Sequence, residues 1–458
     1  MKAAEKLKIV IVGTGYVGLT TGVAMGYLGH NVICVDTNTS IIDKLERGIS
    51  TIYEPGLEEL LKESGRTVTF TGDMPANLPD ADIVIIAVGT PSKQNGDTDL
   101  SYVEAVAREI GAALNPDNPP VVVNKSTVPI GTARRVETVI REELERRGAQ
   151  CCLSVASNPE FLREGAALHD TFYPDRIVVG TEDVRALNLL RQMYAPILEQ
   201  TFNPPRAVPR PEGYNLPALV TTSPTSAELI KYTANAFLAT KISFINEFSA
   251  IADKVGADIT EVSKGIGLDK RIGTGFLQAG VGWGGSCFPK DVRSILFTGS
   301  QYGCEMQLVQ AALEVNRRQR KKVIEKLQQT LKVIRGSTVG ILGLAFKPNT
   351  DDIRESPAID IIGELLDMGA RVKVYDPVAM DKYRETYPAQ NLVYCHSPED
   401  VAKESDALAL LTDWEQFRHI KWSEIGKSMK SMIIVDGRNM LNSEELSSYG
   451  FIYTGIGR

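Results

Sequence analysis

The sequence predicts an α/β protein with two doubly wound, Rossmann-like domains joined by a long central helix. Apolar strand-like runs alternate with helical stretches in the N-terminal part, and the same alternation restarts at Gly336. Between them, Ser226 to Val255 contains no proline or glycine, which predicts one helix about 45 Å long. We therefore expect a Rossmann domain over 1–202, a proline-rich linker and central helical domain over 203–335, and a second Rossmann-like domain over 336–458.

The predicted strands are apolar runs of three to seven residues that end at a glycine, a polar residue or a turn signal. In the first domain they are Lys8 to Val12, Asn31 to Val35, Asp82 to Val88, Val121 to Asn124, Leu153 to Ala156 and Ile177 to Val179. In the second they are Thr338 to Leu342, Arg371 to Tyr375, Ala407 to Leu411 and Met432 to Val435, with a helix over Ser356 to Met368. The stretch Asn203 to Pro224, rich in proline, is predicted to be an extended loop, and Met306 to Ile334 to be helical.

Composition excludes several classes of function. The 458 residues carry a net charge of -7 with no basic excess in either half, which argues against a nucleic-acid partner. No window approaches the roughly 18 apolar residues of a membrane span, and nothing resembles an export signal. The six cysteines and four histidines are scattered, so we expect free thiols, no metal and a cytoplasmic location.

A dinucleotide fingerprint directly follows the first strand. Gly13, Gly15 and Gly18 form G-x-G-x-x-G, in which the glycines allow a tight turn, close approach of the pyrophosphate and close helix–strand packing. The following helix offers unpaired amides and its positive dipole end to the phosphates. Asp36 ends the next strand, where a carboxylate binds the ribose hydroxyls and favours NAD over NADP. The predicted NAD site also includes Tyr16, Val17, Gly89, Thr90 and Pro91.

The segment Gly280 to Asp291 is the most informative part of the chain. It reads Gly-Val-Gly-Trp-Gly-Gly-Ser-Cys-Phe-Pro-Lys-Asp, and its glycines would let backbone and substrate approach closely. Pro289 suits the first turn of a helix, which would leave Cys287 at the helix N-terminus. A thiol there has a lowered pKa and is more reactive, so we predict that Cys287 is a nucleophile. The other five cysteines are expected to be inert.

Two further clusters are placed to act on a ligand. Lys231 and Asn235 lie four residues apart on one face of the central helix, where a lysine and an amide can stabilise an oxyanion. A surface lysine beside a packing asparagine is the alternative. The segments Lys125 to Pro129 and Asn158 to Gly165 follow strands of the first domain, at the sheet edge where ligands bind.

Taken together, these segments resemble the UDP-glucose dehydrogenase family within the nucleotide-sugar dehydrogenases. The resemblance covers nearly the whole chain in order and includes Phe346 to Ser356 and Asp436-Gly437-Arg438. It implies a four-electron oxidation of the sugar C6 alcohol to a carboxylate, with two NAD and a thiohemiacetal and thioester on Cys287. It also implies a homodimer or higher homo-oligomer. The proline-rich stretch is longer than in many members, and Trp283 stands where the family often has Phe or Tyr.

The resemblance also implies roles for individual residues. Lys231 would assist deprotonation and, with Asn235, stabilise the oxyanion, whereas Asp291 and Thr127 would hold water and Glu160 would be the base for hydrolysis. The remaining implied contacts to substrate are Phe161, Leu162, Glu164, Arg271, Gly284, Phe288, Lys347 and Arg438, and to NAD they are Ser126, Thr127, Glu164 and Arg354. Arg271 would reach the sugar bound to the other subunit.

The sequence alone leaves three alternative functions open. The substrate could be another nucleotide sugar, such as a UDP-N-acetylhexosamine or GDP-mannose. A two-electron hydroxyacid dehydrogenase also joins a dinucleotide domain to a helix with Lys-x-x-x-Asn, but needs no reactive cysteine and no further α/β domain. A non-enzymatic nucleotide-binding protein could use the same fold.

Overall fold

The computed structural model describes residues 6–388 and 392–458. Its first sheet has eight strands in the order β3-β2-β1-β4-β5-β6-β7-β8. These strands are β1 (Lys8–Val12), β2 (Asn31–Val35), β3 (Val68–Thr71), β4 (Ile83–Ile86), β5 (Val121–Asn124), β6 (Ser154–Ser157), β7 (Arg176–Gly180) and β8 (Ala218–Thr222). The first six strands pair in parallel in the order of a dinucleotide-binding fold.

Helices cover both faces of this sheet, which explains why its central strands are apolar throughout. Along β1, Ile9 and Ile11 belong to one buried cluster, whereas Val10 and Val12 belong to another. Because successive side chains of a strand point to opposite faces, both faces are packed and the strand has no polar alternation.

The second sheet has six parallel strands in the order β11-β10-β9-β12-β13-β14. They are β9 (Thr338–Leu342), β10 (Arg371–Tyr375), β11 (Leu392–Tyr394), β12 (Ala407–Leu410), β13 (Ile433–Asp436) and β14 (Ile452–Gly455). This order repeats that of β1 to β6, so the predicted class of two Rossmann-like domains is confirmed.

The helices, numbered in chain order, flank these sheets and connect them. They are α1 (Tyr16–Tyr27), α2 (Thr39–Glu46), α3 (Leu57–Ser64), α4 (Ser101–Ala113), α5 (Thr132–Arg146), α6 (Ala167–Phe172), α7 (Val184–Glu199), α8 (Pro224–Val255), α9 (Ile259–Gly267), α10 (Phe288–Gln301), α11 (Gln307–Leu331), α12 (Pro357–Asp367), α13 (Met380–Thr386), α14 (Pro398–Ala402), α15 (Glu415–Arg418), α16 (Trp422–Ser428) and α17 (Ser443–Ser448), with a 3-10 turn at Pro75–Asn77. The predicted central helix is α8, 32 residues long.

The chain divides into two compact units. Unit 1 contains the described residues up to Ala234 and the segment Arg293–Thr298, and unit 2 contains Asn235–Val292 and Gly299–Arg458. The division falls within α8 and within α10, so each of these helices contributes residues to both units. The three-domain boundaries expected from the sequence stay a prediction.

The proline-rich stretch differs from the predicted loop. Its last part forms β8, which pairs in parallel with β7, and β7 itself runs antiparallel to β6. The prediction of an extended loop to Pro224 was therefore wrong at its C-terminal end. The strand lies at the sheet edge and is largely exposed, so it lacks the continuous apolar run that identifies a buried strand.

Two properties of the described residues bear on the wider class of the protein. None of the helices described is both long and apolar enough to cross a bilayer. Within 6–388 and 392–458, histidine, cysteine and acidic side chains form no group of three or more that could hold a metal ion. All six cysteines lie in this described part, and none of them forms a disulfide.

Candidate active site

The glycine fingerprint of unit 1 has the geometry that a dinucleotide requires. Gly13 has φ of +100° and donates its N–H to the Val35 carbonyl at 2.8 Å, which closes the turn after β1. A Cβ on Gly18 would lie 1.9 Å from the Gly13 carbonyl oxygen, so this position needs glycine for packing. A Cβ on Gly15 would meet nothing within 4 Å, and no side chain caps α1. The N-terminus of α1 is therefore open to a phosphate.

Asp36 lies at the end of β2, beside the fingerprint. One carboxylate oxygen accepts from the Thr14 amide at 3.0 Å and the Thr14 hydroxyl at 2.6 Å, and the other accepts from the Asn38 amide at 2.9 Å. These bonds hold the carboxylate in one orientation. The residues present fit NAD, because the acid is where the ribose hydroxyls of a dinucleotide bind.

Two loops that leave β4 and β5 are hydrogen-bonded to each other. The Ser126 hydroxyl donates to the Val88 carbonyl at 2.7 Å, and the Thr90 hydroxyl donates to the Thr127 carbonyl at 2.9 Å. The Gly89-Thr90-Pro91 and Lys125-to-Pro129 segments thus lie together at the carboxyl edge of the sheet. This edge is where doubly wound sheets bind ligands.

Glu160 and Lys231 form a buried ion pair in unit 1. The ammonium and carboxylate are 3.1 Å apart, and their side chains are 4% and 5% exposed. Glu160 also accepts from the Leu162 amide at 2.5 Å, and the Lys231 ammonium lies 5.3 Å from the centre of the Phe161 ring. Two residues from separate predicted clusters therefore meet, and a paired lysine and carboxylate can transfer protons.

The loop that carries Glu160 is held at both ends. At its start, Asn158 accepts from the Lys125 ammonium at 3.1 Å and from the Tyr194 hydroxyl at 2.6 Å. At its end, the buried Glu54 carboxylate accepts from the amides of Gly165 and Ala167, both at 2.7 Å. The loop is therefore fixed relative to the sheet, and Glu164 lies within it.

Cys287 in unit 2 directly precedes α10, as predicted. Its carbonyl accepts the Asp291 amide at 2.8 Å in the first turn, and its sulfur lies 3.5 Å from the Ser286 hydroxyl. The thiol is partly exposed. A cysteine at a helix N-terminus is favoured as the thiolate, which is the nucleophilic form.

Asp291 connects the cysteine helix to the central helix within unit 2. Its carboxylate is 1% exposed and accepts from the Asn235 side-chain amide and from the Lys290 ammonium, each at 2.6 Å. Asn235 lies on α8, one turn after Lys231. The amide of Asn235 is therefore oriented by Asp291, and an oriented amide can stabilise an oxyanion or hold water.

The glycines before Cys287 serve packing against the protein itself. A Cβ on Gly282 would lie 2.4 Å from the Asn316 side chain, one on Gly284 would lie 2.2 Å from the Glu355 carbonyl oxygen, and one on Gly285 would lie 2.6 Å from the Phe346 ring. The expectation that these glycines let the backbone approach closely agrees with these distances, and close approach of a substrate stays a prediction. The glycines admit neighbouring segments of unit 2, which fixes the backbone that leads to Cys287.

The cationic residues predicted to contact ligands in unit 2 differ in their surroundings. Arg438 donates to the carbonyls of Leu411 at 2.7 Å and Phe346 at 2.9 Å, and desolvation lowers its pKa. Lys347 lies 5.4 Å from the Phe346 ring centre, and Arg354 is paired with Asp352. Arg271 pairs with Asp269 and its side chain is 89% exposed. Contacts of these side chains with a ligand stay predictions.

Sequence reasoning missed the residues that support the site. Glu54 and Glu228 hold loops through backbone amides, and Asn316 accepts from the Trp283 amide at 2.8 Å and donates to its carbonyl at 2.9 Å. Glu228 had one detectable signal, because it lies three residues before Lys231 and shares its helix face. Glu54 and Asn316 act across long sequence separations that no local pattern reports.

Sequence profiles of one family match three successive parts of the chain. The NAD binding domain of the UDP-glucose/GDP-mannose dehydrogenase family matches residues 7–198, its central domain matches 225–318, and its UDP binding domain matches 340–443.

Curated relatives are similar over nearly the full length. The chain is 41% identical to the UDP-glucose 6-dehydrogenase TuaD of Bacillus subtilis, with 98% of this chain and 93% of the relative covered, and 43% identical to the UDP-glucose 6-dehydrogenase of Pseudomonas aeruginosa, with 99% and 98% covered. Among solved structures, a UDP-glucose dehydrogenase of Pyrobaculum islandicum has a TM-score of 0.88 at 38% identity, covering 100% and 99%. A UDP-D-ManNAc dehydrogenase of Pyrococcus horikoshii has a TM-score of 0.82 at 27% identity, covering 99% of each chain.

Proposed function

The chain belongs to the UDP-glucose/GDP-mannose dehydrogenase family, and we propose from this that it oxidises UDP-glucose to UDP-glucuronate. It is an NAD-dependent oxidoreductase. The observation that carries the choice of sugar is the identity of 41–43% over nearly the whole chain to UDP-glucose 6-dehydrogenases. The intact segment Gly-Gly-Ser-Cys-Phe-Pro-Lys-Asp, ending at Asp291, supports the same choice.

The reaction removes four electrons in two steps. UDP-glucose, two NAD and one water give UDP-glucuronate, two NADH and three protons. When bound in unit 1, NAD supplies the acceptor for each hydride. The first oxidation converts the C6 alcohol to an aldehyde, whose carbon must become tetrahedral before it can lose a second hydride.

Cys287 is the nucleophile that makes the second oxidation possible. Its thiolate adds to the aldehyde carbon and the oxygen takes up a proton, which gives a thiohemiacetal. Loss of the second hydride and of that proton gives a thioester. Water then attacks the thioester, so that the carbon–sulfur bond breaks and the carboxylate and thiolate are released.

Individual residues have proposed roles in these steps. Lys231 assists deprotonation of the alcohol and, with Asn235, stabilises the developing oxyanion. Asp291 and Thr127 hold water, and Glu160 removes a proton from the water that hydrolyses the thioester. The sugar nucleotide is lined by Phe161, Leu162, Glu164, Gly284 and Phe288. Lys347 and Arg438 also contact it. Arg354 lies near NAD, and Arg271 reaches the sugar bound to the other subunit.

A panel of nucleotide sugars tests the choice of substrate. With NAD present, we expect UDP-glucose to be converted to UDP-glucuronate with kcat/KM at least about tenfold above UDP-N-acetylmannosamine and GDP-mannose. The product is identified by chromatography against authentic UDP-glucuronate. Faster oxidation of an N-acetylated sugar would overturn the substrate and leave the family unchanged.

Asp36 is expected to set the choice of NAD over NADP. The 2′-phosphate of NADP would lie beside the oriented carboxylate, so we expect NADP to bind at least about tenfold more weakly than NAD. In Asp36→Ser the difference should shrink to within about threefold, because the repulsion is removed. Calorimetric titration of both cofactors checks this. Tighter binding of NADP to the wild-type protein would contradict the role of Asp36.

An exposed apolar stripe on α8 supports a homodimer. In the unit 2 part of α8, five large apolar side chains are 42–70% exposed and recur at spacings of seven, four, three and four residues: Phe237, Phe244, Phe248, Ile251 and Val255. All five lie in unit 2, and the rings of Phe244 and Phe248 are 4.7 Å apart. This is the spacing of a helix that packs along another helix, and a second copy of α8 is the occupant we propose.

Sedimentation tests this dimer. We expect the wild-type protein to sediment as a dimer or larger oligomer at micromolar concentration. Phe248→Glu places a charge in the stripe and should weaken association at least about tenfold. Leu308→Glu, at an apolar side chain that is 79% exposed elsewhere in unit 2, is the matched control and should leave association unchanged. A wild-type monomer would overturn the proposal.

We also propose that the enzyme works in the cytoplasm. None of the six cysteines forms a disulfide, and a nucleophilic Cys287 needs a reducing compartment to remain a thiol.

A further inference from the structure

Glu228 is a buried carboxylate that the mechanism does not use. It lies in the second turn of α8 and is 2% exposed. One oxygen accepts from the Gly131 amide at 2.6 Å, and the other accepts from the Ala133 amide at 2.8 Å. These amides open α5, and Gly131 at its N-terminus provides no side-chain cap. Glu228 therefore caps α5 from a different helix.

The two amides end the loop that carries Thr127. At its start, the loop is held to the sheet by the Ser126 hydroxyl bond to Val88 at 2.7 Å. At its other end, Gly131 has φ of +93° and donates its N–H to the Glu228 carboxylate at 2.6 Å. Thr127 thus lies in a short segment fixed at both ends, one of them by α8.

The same carboxylate is adjacent to Lys231. The two residues are three positions apart on α8, so they lie on neighbouring parts of one helix face. Burial holds the pKa of Glu228 above its usual value, and the bonds from the Ala133 and Gly131 amides oppose this shift only in part. The ionised carboxylate accepts one hydrogen bond at each oxygen, one from each amide. Such charge-assisted hydrogen bonds are strong when they are buried.

We propose that Glu228 is a positioning residue for the reaction, which couples the Thr127 loop to the helix that carries Lys231. It fixes the spacing between the group that holds water and the group that assists deprotonation. A displacement of about 1 Å in such an arrangement costs up to about 100-fold in rate. This role rests on the proposed function.

Glu228→Gln tests the role in the full-length protein. The amide keeps the size of the side chain but presents an NH2 group to one of the two N–H donors, so one bond is lost. Hydrogen exchange of the 127–135 segment should accelerate at least about tenfold. We expect kcat to fall about 10- to 100-fold, while KM for NAD changes less than about threefold, because the glycine fingerprint and Asp36 are not altered.

Asp183→Ala is the matched control. Asp183 caps α7 through the Arg185 amide at 2.7 Å and bonds to Ser154, which opens β6 at the edge opposite the site loops. This variant should lose thermal stability as a cap deletion does, with kcat per folded enzyme within about twofold of wild type.

Two outcomes would overturn the role of Glu228. If the hydrogen-exchange rates and the kcat of Glu228→Gln match those of the wild type, Glu228 does not position the loop. A fall in kcat no larger than that of Asp183→Ala would show a purely structural role. If the wild-type protein forms no NADH from UDP-glucose, the proposed function is contradicted. The exchange measurement needs no substrate, so it still decides in that case whether Glu228 holds the loop.

Discussion

Cys287→Ser is expected to lower the formation of UDP-glucuronate at least about 10³-fold, because a serine hydroxyl is a much weaker nucleophile than a thiolate. The first oxidation does not need the thiol and should persist. With hydroxylamine present to trap the aldehyde, we expect one NADH per oxime formed. Product analysis of the trapped and untrapped reactions measures both quantities.

Cys304→Ser is the control for this variant. Cys304 is exposed in unit 2 and donates to the Tyr302 carbonyl, so its loss should leave both oxidations at the wild-type rate. If Cys287→Ser forms the acid at more than about a tenth of the wild-type rate, the covalent route through Cys287 is wrong.

The second large effect is expected at the buried pair of Lys231 and Glu160. Lys231→Met removes the ammonium group that pairs with the Glu160 carboxylate. The Glu160 side chain is only 5% exposed, so its charge would lose this partner in a buried position. Breaking a buried pair costs about 3–5 kcal/mol of stability. For a unit of roughly 150–250 residues, such a loss lowers the melting temperature by roughly 6–20 °C. Scanning calorimetry measures the shift, and kcat should fall about 10²- to 10³-fold.

The double variant separates stability from catalysis. Lys231→Met combined with Glu160→Gln leaves no unpaired buried charge, so most of the lost stability should return. Activity should remain low, because both the proton-transfer group and the base are gone. A double variant as unstable as Lys231→Met would contradict the buried pair. Near wild-type kcat in Lys231→Met would contradict its role in the chemistry.

Local signals account for what the sequence predicted of the fold. The glycine fingerprint, the buried strands and α8 were predictable because apolar runs, breakers and periodicity are properties of neighbouring residues. The strands β3, β8, β11 and β14 were not predicted, since they are three to five residues long and partly exposed. Their pairing depends on strands distant in sequence.

The sequence predicted which segments contribute to the candidate site, but it did not predict which of their side chains contact one another. The residues Cys287, Lys231, Asn235 and Glu160 were all identified from their segments. That Glu160 pairs with Lys231, or that Asn235 is oriented by Asp291, depends on contacts across 71 and 56 positions of sequence. The periodicity of the sequence does not indicate such contacts. It also does not indicate which carbonyls and side chains occupy the space beside the glycines before Cys287.

The most direct test is the number of NADH formed per molecule of UDP-glucose. Limiting UDP-glucose is incubated with excess NAD until absorbance at the NADH band stops rising. The proposed four-electron oxidation predicts two NADH per sugar and one UDP-glucuronate. One NADH per sugar, with an aldehyde as the product, would contradict the thioester route and identify a two-electron alcohol dehydrogenase.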